Sequence, residues 1–362
     1  MLEPDLYLVV IAGGNGTRFW PKSTSKRPKQ LLAFNSTSPT STIQPNLSLL
    51  AQTLHRFDQL VPFENRFILT TEALKEVVEL ENLDAQLLAE PQGRNTAPCV
   101  YWAAKHIAAK NPKGLILVMP SDHYIANPEK FISTLRSGIQ WAREKDDLVT
   151  LGIRPTRPET GYGYLKLGDL VESSVPLQCP HRVDSFVEKP NLDRAMQFLE
   201  SKSYLWNGGM FVWRAEVILK AFDQYMPEMK QAWESSNGVI EEAYPLMTAT
   251  SIDYGVMEKA KNVVTFPLDC GWDDLGSWTS LESIADILNA RIGENTVTGG
   301  QLLAIDSNSN IIDVPNRLVA LLGVQDLIVV EHGDALLVAH KSKSQDIRKV
   351  VDEVKKHRPE LA

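Results

Sequence analysis

Residues 9–34 read VVIAGGNGTRFWPKSTSKRPKQLLAF. An apolar, β-branched run from Leu6 to Ala12 passes straight into glycines at 13, 14 and 16, then Arg18, and later Lys29. Short continuous apolar runs of this kind mark strands buried on both faces, as in parallel sheets. Gly13, Gly14 and Gly16 let backbone N–H groups approach an anion with no Cβ in the way. Arg18 can fork two oxygens, and Lys29 adds a point charge. A glycine pair after a strand is by itself an ordinary turn. Two cations, with prolines at 21 and 28 in fixed order, make a polyphosphate grip the stronger reading.

Two familiar phosphate loops are excluded. A dinucleotide fingerprint needs G-x-G-x-x-G opening a helix, whereas Gly14-Asn15-Gly16-Thr17-Arg18-Phe19 lacks the third glycine and Pro21 obstructs a helix interior. A P-loop needs Gly-Lys-Ser/Thr after four intervening residues, and no such triplet occurs. The pattern G-G-x-G-x-R followed by P-K instead resembles the signature of the sugar-phosphate nucleotidyltransferases. The form with Phe19-Trp20-Pro21 and Pro28-Lys29-Gln30-Leu31-Leu32 resembles the mannose-1-phosphate guanylyltransferase (GDP-mannose pyrophosphorylase) family, over most of the chain.

A length of 362 residues points to two domains, a catalytic one over 1–289 and a small one over 290–362. Hydrophobic residues at 43% and charged residues at 23% are ordinary for a globular protein, so no special class intrudes. A net charge of −8 argues against a nucleic-acid binder, which needs excess Lys and Arg to neutralise phosphates. Three cysteines, Cys99, Cys179 and Cys270, lack metal-ligand spacing and suit a reducing compartment. The start, MLEPDLYLVV, has two acids, no basic segment and too short an apolar run for a signal or membrane span. The expectation is a cytoplasmic protein with no membrane partner.

From the start to about residue 153, strands at Leu6–Ala12, Arg66–Leu69, Ala85–Ala89, Leu115–Met119 and Leu148–Ile153 alternate with amphipathic helices at Leu47–Phe57, Glu72–Leu80, Thr96–Lys110 and Pro128–Arg143. Alternation of this kind makes an α/β fold, a mostly parallel sheet flanked by helices, with ligands outside the carboxyl ends of the strands. Later strands at Gly163–Leu167, Arg182–Glu188, Gly209–Trp213 and Val263–Pro267, with helices at Leu192–Ser201, Ala215–Phe222 and Trp278–Leu288, complete that sheet. Beyond about 290 come strands at Leu302–Ile305, Asn310–Val314, Leu318–Leu321, Leu327–Val330 and Ala335–Val338, then a charged helix at Ser344–Lys356. The resemblance implies a Rossmann-like, GT-A-like nucleotidyltransferase domain followed by a small left-handed β-helix-like domain. No clean hexapeptide repeat accompanies that second part.

Met119-Pro120-Ser121-Asp122-His123 puts an acid just past a strand end, where a magnesium ion on a triphosphate would find a hard oxygen. Asp122 is the first candidate ligand, with a turn cap as the plain alternative and Ser121 beside it on the nucleotide side. His123 reads as packing rather than as a ligand. Phe186-Val187-Glu188-Lys189-Pro190 ends a strand with an acid and a base; Lys189 can grip a sugar phosphate and Glu188 can accept from sugar hydroxyls. A surface ion pair is the alternative. In Trp206-Asn207-Gly208-Gly209-Met210-Phe211, the glycines let the backbone near a hexose while Asn207 reads a hydroxyl; the alternative is a β-bulge. Many relatives carry Ser or Ala where Gly208 stands. Trp102, Trp141 and Trp233 fall at helical spacing and read as core.

The resemblance implies the rest. In Gly271-Trp272-Asp273-Asp274-Leu275-Gly276, Asp274 matches the family's second metal carboxylate, with Asp273 as the alternative ligand and a helix cap as the alternative role. Gly93-Arg94-Asn95-Thr96-Ala97-Pro98 matches the segment that holds the base and ribose: Gly93 gives close approach, and Asn95 or Thr96 either meets a guanine edge or caps the helix. Pro158-Glu159-Thr160-Gly161-Tyr162-Gly163 resembles the sugar-contacting loop, with Gly161 lining and Tyr162 beside it. Asp253 in Ser251-Ile252-Asp253-Tyr254 is a cap or a contact.

The implied activity is α-D-mannose 1-phosphate + GTP = GDP-mannose + diphosphate, by in-line attack of the sugar phosphate on the α-phosphorus. Arg18, Lys29, Asp122 and Asp274 are the catalytic set, with Mg²⁺ on the two acids. The nucleotide lies along Ala12, Gly13, Gly14, Gly16, Thr17 and Arg18. Another sugar 1-phosphate with UTP or dTTP is the alternative within the class, and a non-catalytic regulatory homologue the alternative outside it. The family also implies a homodimer, and the chain length an enzyme without a fused isomerase domain.

Overall fold

Leu6–Ile11 (β1) forms an interior strand of a sheet because it can be covered on both faces: Leu6, Leu8, Val9 and Val10 are all fully buried. It pairs in parallel with Arg66–Thr71 (β2) on one side and Leu115–Pro120 (β4) on the other, with Val9 opposite Phe67 and Val118. The computed structural model describes residues 2–14, 16–34, 47–172 and 178–362; Asn15 of the glycine loop lies outside them. Gln86–Glu90 (β3) extends the sheet in parallel from β2, and Tyr124–Ile125 (β5) belongs to a separate pair. Leu148–Ile153 (β6), Gly163–Leu170 (β7), His181–Glu188 (β8), Tyr204–Arg214 (β9) and Val263–Leu268 (β10) complete nine strands in the order β3-β2-β1-β4-β9-β6-β10-β8-β7. The strands around β1 are parallel, β10 runs parallel to β6, and β9 inserts antiparallel between β4 and β6.

Three of the helices are started by asparagine side chains that take orphan N–H groups, that at Thr96–Lys110 among them. Asn127 accepts from Lys130 N–H with Pro128 in the first turn of Pro128–Glu144, and Asn191 accepts from Arg194 N–H at the head of Leu192–Ser201. Helices Thr96–Lys110 and Ala215–Tyr225 bring Val100, Tyr101, Ile218 and Phe222 onto Val9, Phe67, Val118, Phe211 and Trp213. These elements belong to one compact unit, formed by residues 1–13, 56–120 and 127–270.

A second compact unit comprises residues 14–55, 121–126 and 271–362. Here Trp272–Asp273 (β11) pairs antiparallel with β5. Arg291–Ile292 (β12), Asn295–Ile305 (β13), Ile311–Leu322 (β14), Leu327–His332 (β15) and Ala335–His340 (β16) form a five-stranded sheet in chain order, parallel from β13 to β15. Its core joins Ile311, Ile328 and Val330 to Phe19, Trp20, Leu275 and Trp278, and to Ile347 and Val351 of the helix Ile347–His357. Trp278 Nε1 donates to Trp20 O at 3.1 Å, and Trp20 Nε1 donates to Leu361 O at 2.8 Å.

Three expectations are corrected. The strands expected at Asn310–Val314 and Leu318–Leu321 are one, β14: the Pro315-Asn316 step is absorbed opposite Gly299-Gly300, where register shifts and Gly300 has φ of +89°. A Cβ on Gly300 would lie 2.0 Å from Val314 O, so glycine is required there. Strand β9 starts at Tyr204, not Gly209, because Gly209 at φ of +62° bends the strand without ending it. The helix expected at Trp278–Leu288 is a 3-10 turn, Trp278–Ser280, and one α-turn, Leu281–Ile284; Ser277 and Ser280 form a capping box and Asn289 is left-handed.

Candidate active site

In the first unit the carboxyl ends of β1, β2 and β3 converge. Ala12 N–H donates to Leu69 O at 2.7 Å and the Thr70 hydroxyl donates to Ala12 O at 3.2 Å, so the chain leaves β1 on a fixed course. A Cβ on Gly13 would lie 3.6 Å from Glu90 Oε1 and 3.7 Å from Thr71 Cγ2; one on Gly93 would lie 3.8 Å from the same methyl. Glu90 ends β3, is 3% exposed, and accepts the Tyr244 hydroxyl on Oε2. Burial pushes the Glu90 carboxyl up to about 7, against the pull of the Tyr244 hydrogen bond. Sequence reasoning misses Glu90, for which the available signal is an acid ending an otherwise apolar strand. Asn95, with φ of 65°, accepts from Thr96 N–H at 2.8 Å, while the Thr96 hydroxyl accepts from Ile252 N–H at 2.9 Å. Both side chains hold the head of the helix Thr96–Lys110, and Arg94 donates to Met247 O at 2.6 Å.

A second group of the same unit surrounds Gly163, which opens β7 opposite Glu188. A Cβ there would lie 2.5 Å from Glu188 Oε2 and 3.5 Å from Asn207 Cβ, so the acid and the amide stand on adjoining strands about one glycine. Lys189 turns the chain at φ of 45°, donates its N–H to Tyr162 O at 3.2 Å, and donates from Nζ to Glu188 Oε1 at 2.7 Å. That hydrogen bond raises the lysine's pKa, and its side chain is 63% exposed. Asn207 Nδ2 donates to Asp253 Oδ1 at 2.6 Å, and Gly209 N–H donates to Asn207 Oδ1 at 3.2 Å. A Cβ on Gly208 would meet Met210 Cε at 2.8 Å. Gly161 N–H donates to Glu159 Oε1 at 3.0 Å. Tyr162 stands edge-on to Trp206, and Arg157 donates to its hydroxyl at 3.2 Å while lying 5.3 Å from the Trp206 ring. Arg157 has no motif spacing of its own and was not foreseen.

The second unit holds the remaining candidates. Gly16 has φ of +59°, and a Cβ on it would lie 2.1 Å from Lys29 Cβ; only glycine lets the loop rest on the lysine. Ser23 Oγ donates to Gly16 O at 2.7 Å. Thr17, Arg18 and Phe19 form a single turn in which buried Phe19 anchors the loop and Arg18 is exposed, its guanidinium 3.5 Å from Gly276 O; Gly14 is also exposed. Lys29 is 7% exposed and its Nζ donates to Asp122 Oδ2 at 2.8 Å and to Asp274 O at 2.5 Å. Burial works to raise the Asp122 carboxyl, but the Lys29 charge and the Lys29 hydrogen bond hold it below the usual carboxylate range. Ser121 is buried, and its carbonyl accepts from the Thr53 hydroxyl at 3.4 Å. Trp272 Nε1 donates to His123 Nδ1 at 3.1 Å, with the rings edge-on, so this histidine packs. Asp273 uses both oxygens locally, accepting from Leu275 N–H at 2.8 Å and Ser283 Oγ at 2.7 Å. The Asp274 carboxylate borders Gly276, where a Cβ would lie 3.1 Å from Oδ1.

Among the described residues no three His, Cys, Asp or Glu side chains gather as a metal cage. Asp122, held ionised by Lys29, and Asp274 offer hard oxygen donors of the kind a divalent cation takes when phosphates and water complete its shell. Among the described residues no helix is long and apolar enough to cross a membrane.

The family model described as nucleotidyl transferase matches residues 7–291, and that of the MannoseP isomerase/GMP-like beta-helix domain matches 300–354. The chain is 35% identical over 372 residues to mannose-1-phosphate guanylyltransferase of Escherichia coli K12, covering 98% of this chain and 74% of that one. It is 36% identical over 361 residues to the alginate biosynthesis protein AlgA of Pseudomonas aeruginosa, covering 96% and 71%. A crystal structure described as mannose-1-phosphate geranyltransferase, from Thermus thermophilus, superposes with a TM-score of 0.84 at 34% identity, covering 97% of this chain and 99% of that one. The chain belongs to the nucleotidyl transferase family, among the relatives of the mannose-1-phosphate guanylyltransferases.

Proposed function

We propose that the chain makes GDP-mannose and diphosphate from α-D-mannose 1-phosphate and GTP. The observation that carries this is Lys29: the glycine loop rests on it at Gly16, and its Nζ reaches both Asp122 and the Asp274 backbone. The sugar phosphate is itself a competent nucleophile, so no covalent enzyme intermediate is required. Its oxygen attacks the α-phosphorus as diphosphate leaves in line. Arg18 and Lys29 offset charge on the leaving group, and Gly14 and Gly16 open the backbone to it. Lys189 and Glu188 take the sugar phosphate and sugar hydroxyls, with Asn207, Gly208, Gly161 and Tyr162 around them. Asp122 and Asp274 would hold Mg²⁺, which when bound neutralises phosphate charge. Asp273, committed on both oxygens, is left as the support of that turn.

Guanine is favoured by Glu90. A carboxylate oxygen facing Gly13 suits a base with adjacent donors, N1–H and the 2-amino group, better than the single N3–H of uracil or thymine. Gly93 leaves the approach open, and Ala12, Gly13, Thr17, Asn95, Thr96 and Ser121 shape the remaining nucleotide contacts. The three free cysteines support a cytoplasmic setting. The apolar strip of Leu303, Ile305, Leu318 and Leu322, each more than half exposed on β13 and β14, supports self-association as a homodimer.

The test is isotopic. With mannose 1-phosphate carrying ¹⁸O in its phosphate, all label is expected in GDP-mannose, including the bridge to the α-phosphorus, and none in diphosphate. Label in diphosphate, or no turnover, overturns the reading.

A further inference from the structure

Asn207 carries an amide whose two ends are chemically distinguished. Its Nδ2 donates to Asp253 Oδ1 at 2.6 Å and its Oδ1 accepts from Gly209 N–H at 3.2 Å. Flipping the amide would set an oxygen against the Asp253 carboxyl and an NH₂ group against an N–H, losing both bonds. One amide hydrogen and one lone pair remain to be presented elsewhere, and their direction is fixed by the first two bonds.

Asp253 opens a five-residue π-turn, Asp253–Met257, and its carboxyl meets its own backbone N–H while Oδ1 takes the Asn207 amide. The backbone of that turn is anchored by buried Val256 and Met257, and the strand that carries Asn207 by its buried Trp206 and Phe211. The surrounding charges are Glu188 and Lys189 at the end of β8 and Glu258 just beyond the turn. Burial and Glu188 raise the Asp253 carboxyl, and the Asn207 bond and Lys189 lower it. An aspartate in this setting is costly to keep unless it is used.

We propose that Asp253 is a positioning residue for sugar recognition, orienting the Asn207 amide toward a sugar hydroxyl through an acceptor oxygen. This rests on the reading that Asn207 meets the sugar phosphate substrate. The requirement is for an acceptor, not for a charge, so Asp253→Asn should serve, its amide oxygen taking the Asn207 N–H. Asp253→Leu keeps the branching at Cγ, with more bulk, and has no acceptor; it releases the amide to rotate.

Steady-state kinetics on the full chain, varying each substrate with the other saturating, test this. Asp253→Leu is expected to raise KM for mannose 1-phosphate about tenfold with KM for GTP unchanged, Asp253→Asn to stay within about twofold, and Asn207→Ala/Asp253→Leu to match Asn207→Ala alone. An unchanged sugar KM in Asp253→Leu, equal rises in both KM values, or Asp253→Asn as impaired as Asp253→Leu would overturn the proposal. If Asp253→Leu does not fold, Asp253→Asn decides: near-normal constants support the acceptor role and a tenfold sugar KM contradicts it. Asn207→Ala reports separately on the sugar site: if it leaves the sugar KM unchanged, that assignment fails, whatever Asp253 does.

Discussion

Lys29 Nζ lies 2.8 Å from Asp122 Oδ2, although the two residues are far apart in sequence. The lysine is nearly buried and the aspartate half-buried, so the pair is screened less than a surface ion pair and keeps the aspartate ionised. Lys29→Ala should therefore act on the chemistry more than on binding. We expect kcat to fall by two orders of magnitude or more, about 3 kcal/mol, with a smaller change in GTP affinity measured by calorimetry. A kcat within fivefold of the parent would remove Lys29 from the catalytic set.

The glycines of the loop should separate into two kinds. Gly16→Ala forces a Cβ against Lys29 and a left-handed backbone, and should cost about 2 kcal/mol of stability in denaturant titrations as well as activity. Gly14 has nothing within 4 Å of where a Cβ would sit, so Gly14→Ala should leave the denaturation midpoint unchanged and raise only KM for GTP. Equal losses of stability in both variants would contradict this division.

Glu90 gives a pH dependence with a definite sign. Its carboxyl titrates near 7 when folded and near 4.5 when unfolded, so between those values the folded chain binds more protons. Its contribution to stability is complete below pH 4.5 and is lost as pH rises through 7; thermal melts of Glu90→Gln should show a flatter profile across that window. The proposed reading of guanine by Glu90 runs the opposite way, because it uses the ionised form. KM for GTP should climb as pH falls below 7 in the parent and not in Glu90→Gln. The parent's preference for GTP over ITP, which lacks the 2-amino group, should be about tenfold or more and shrink in the variant. A parent indifferent between GTP and ITP would exclude Glu90 as the reader of that group.

Asp273 and Asp274 should fail differently. Asp273→Ala leaves Leu275 N–H without its acceptor and the Ser283 hydroxyl with Ser280 O alone, and should lower stability by about 1–3 kcal/mol in denaturant titrations. Asp274→Asn should abolish the response of turnover to added Mg²⁺. The reverse pattern would move the metal ligand to Asp273.

Much of the fold was legible because β1 and its neighbours are apolar on both faces, a pattern that permits little but a covered parallel strand. The bounds of the helices Thr96–Lys110 and Leu192–Ser201 were legible to the residue, and the structure shows Asn95 and Asn191 capping them. Pro315 and Gly209 misled, since proline and glycine punctuate turns and bulges alike, and only the partner strand decides which. At the candidate site, the residues with motif spacing could be named in advance. Glu90, Arg157 and the bond from Asn207 to Asp253 could not, because they depend on which strand ends and turns the fold brings together.

The most direct test is diphosphate release from the full chain across a grid of sugar 1-phosphates and nucleoside triphosphates, each with Mg²⁺ and with EDTA. Mannose 1-phosphate with GTP and Mg²⁺ should be the preferred combination, yielding GDP-mannose and diphosphate in equal amounts, with none in EDTA. A preference for glucose 1-phosphate with UTP or dTTP, or no release from any pair, would contradict the assignment.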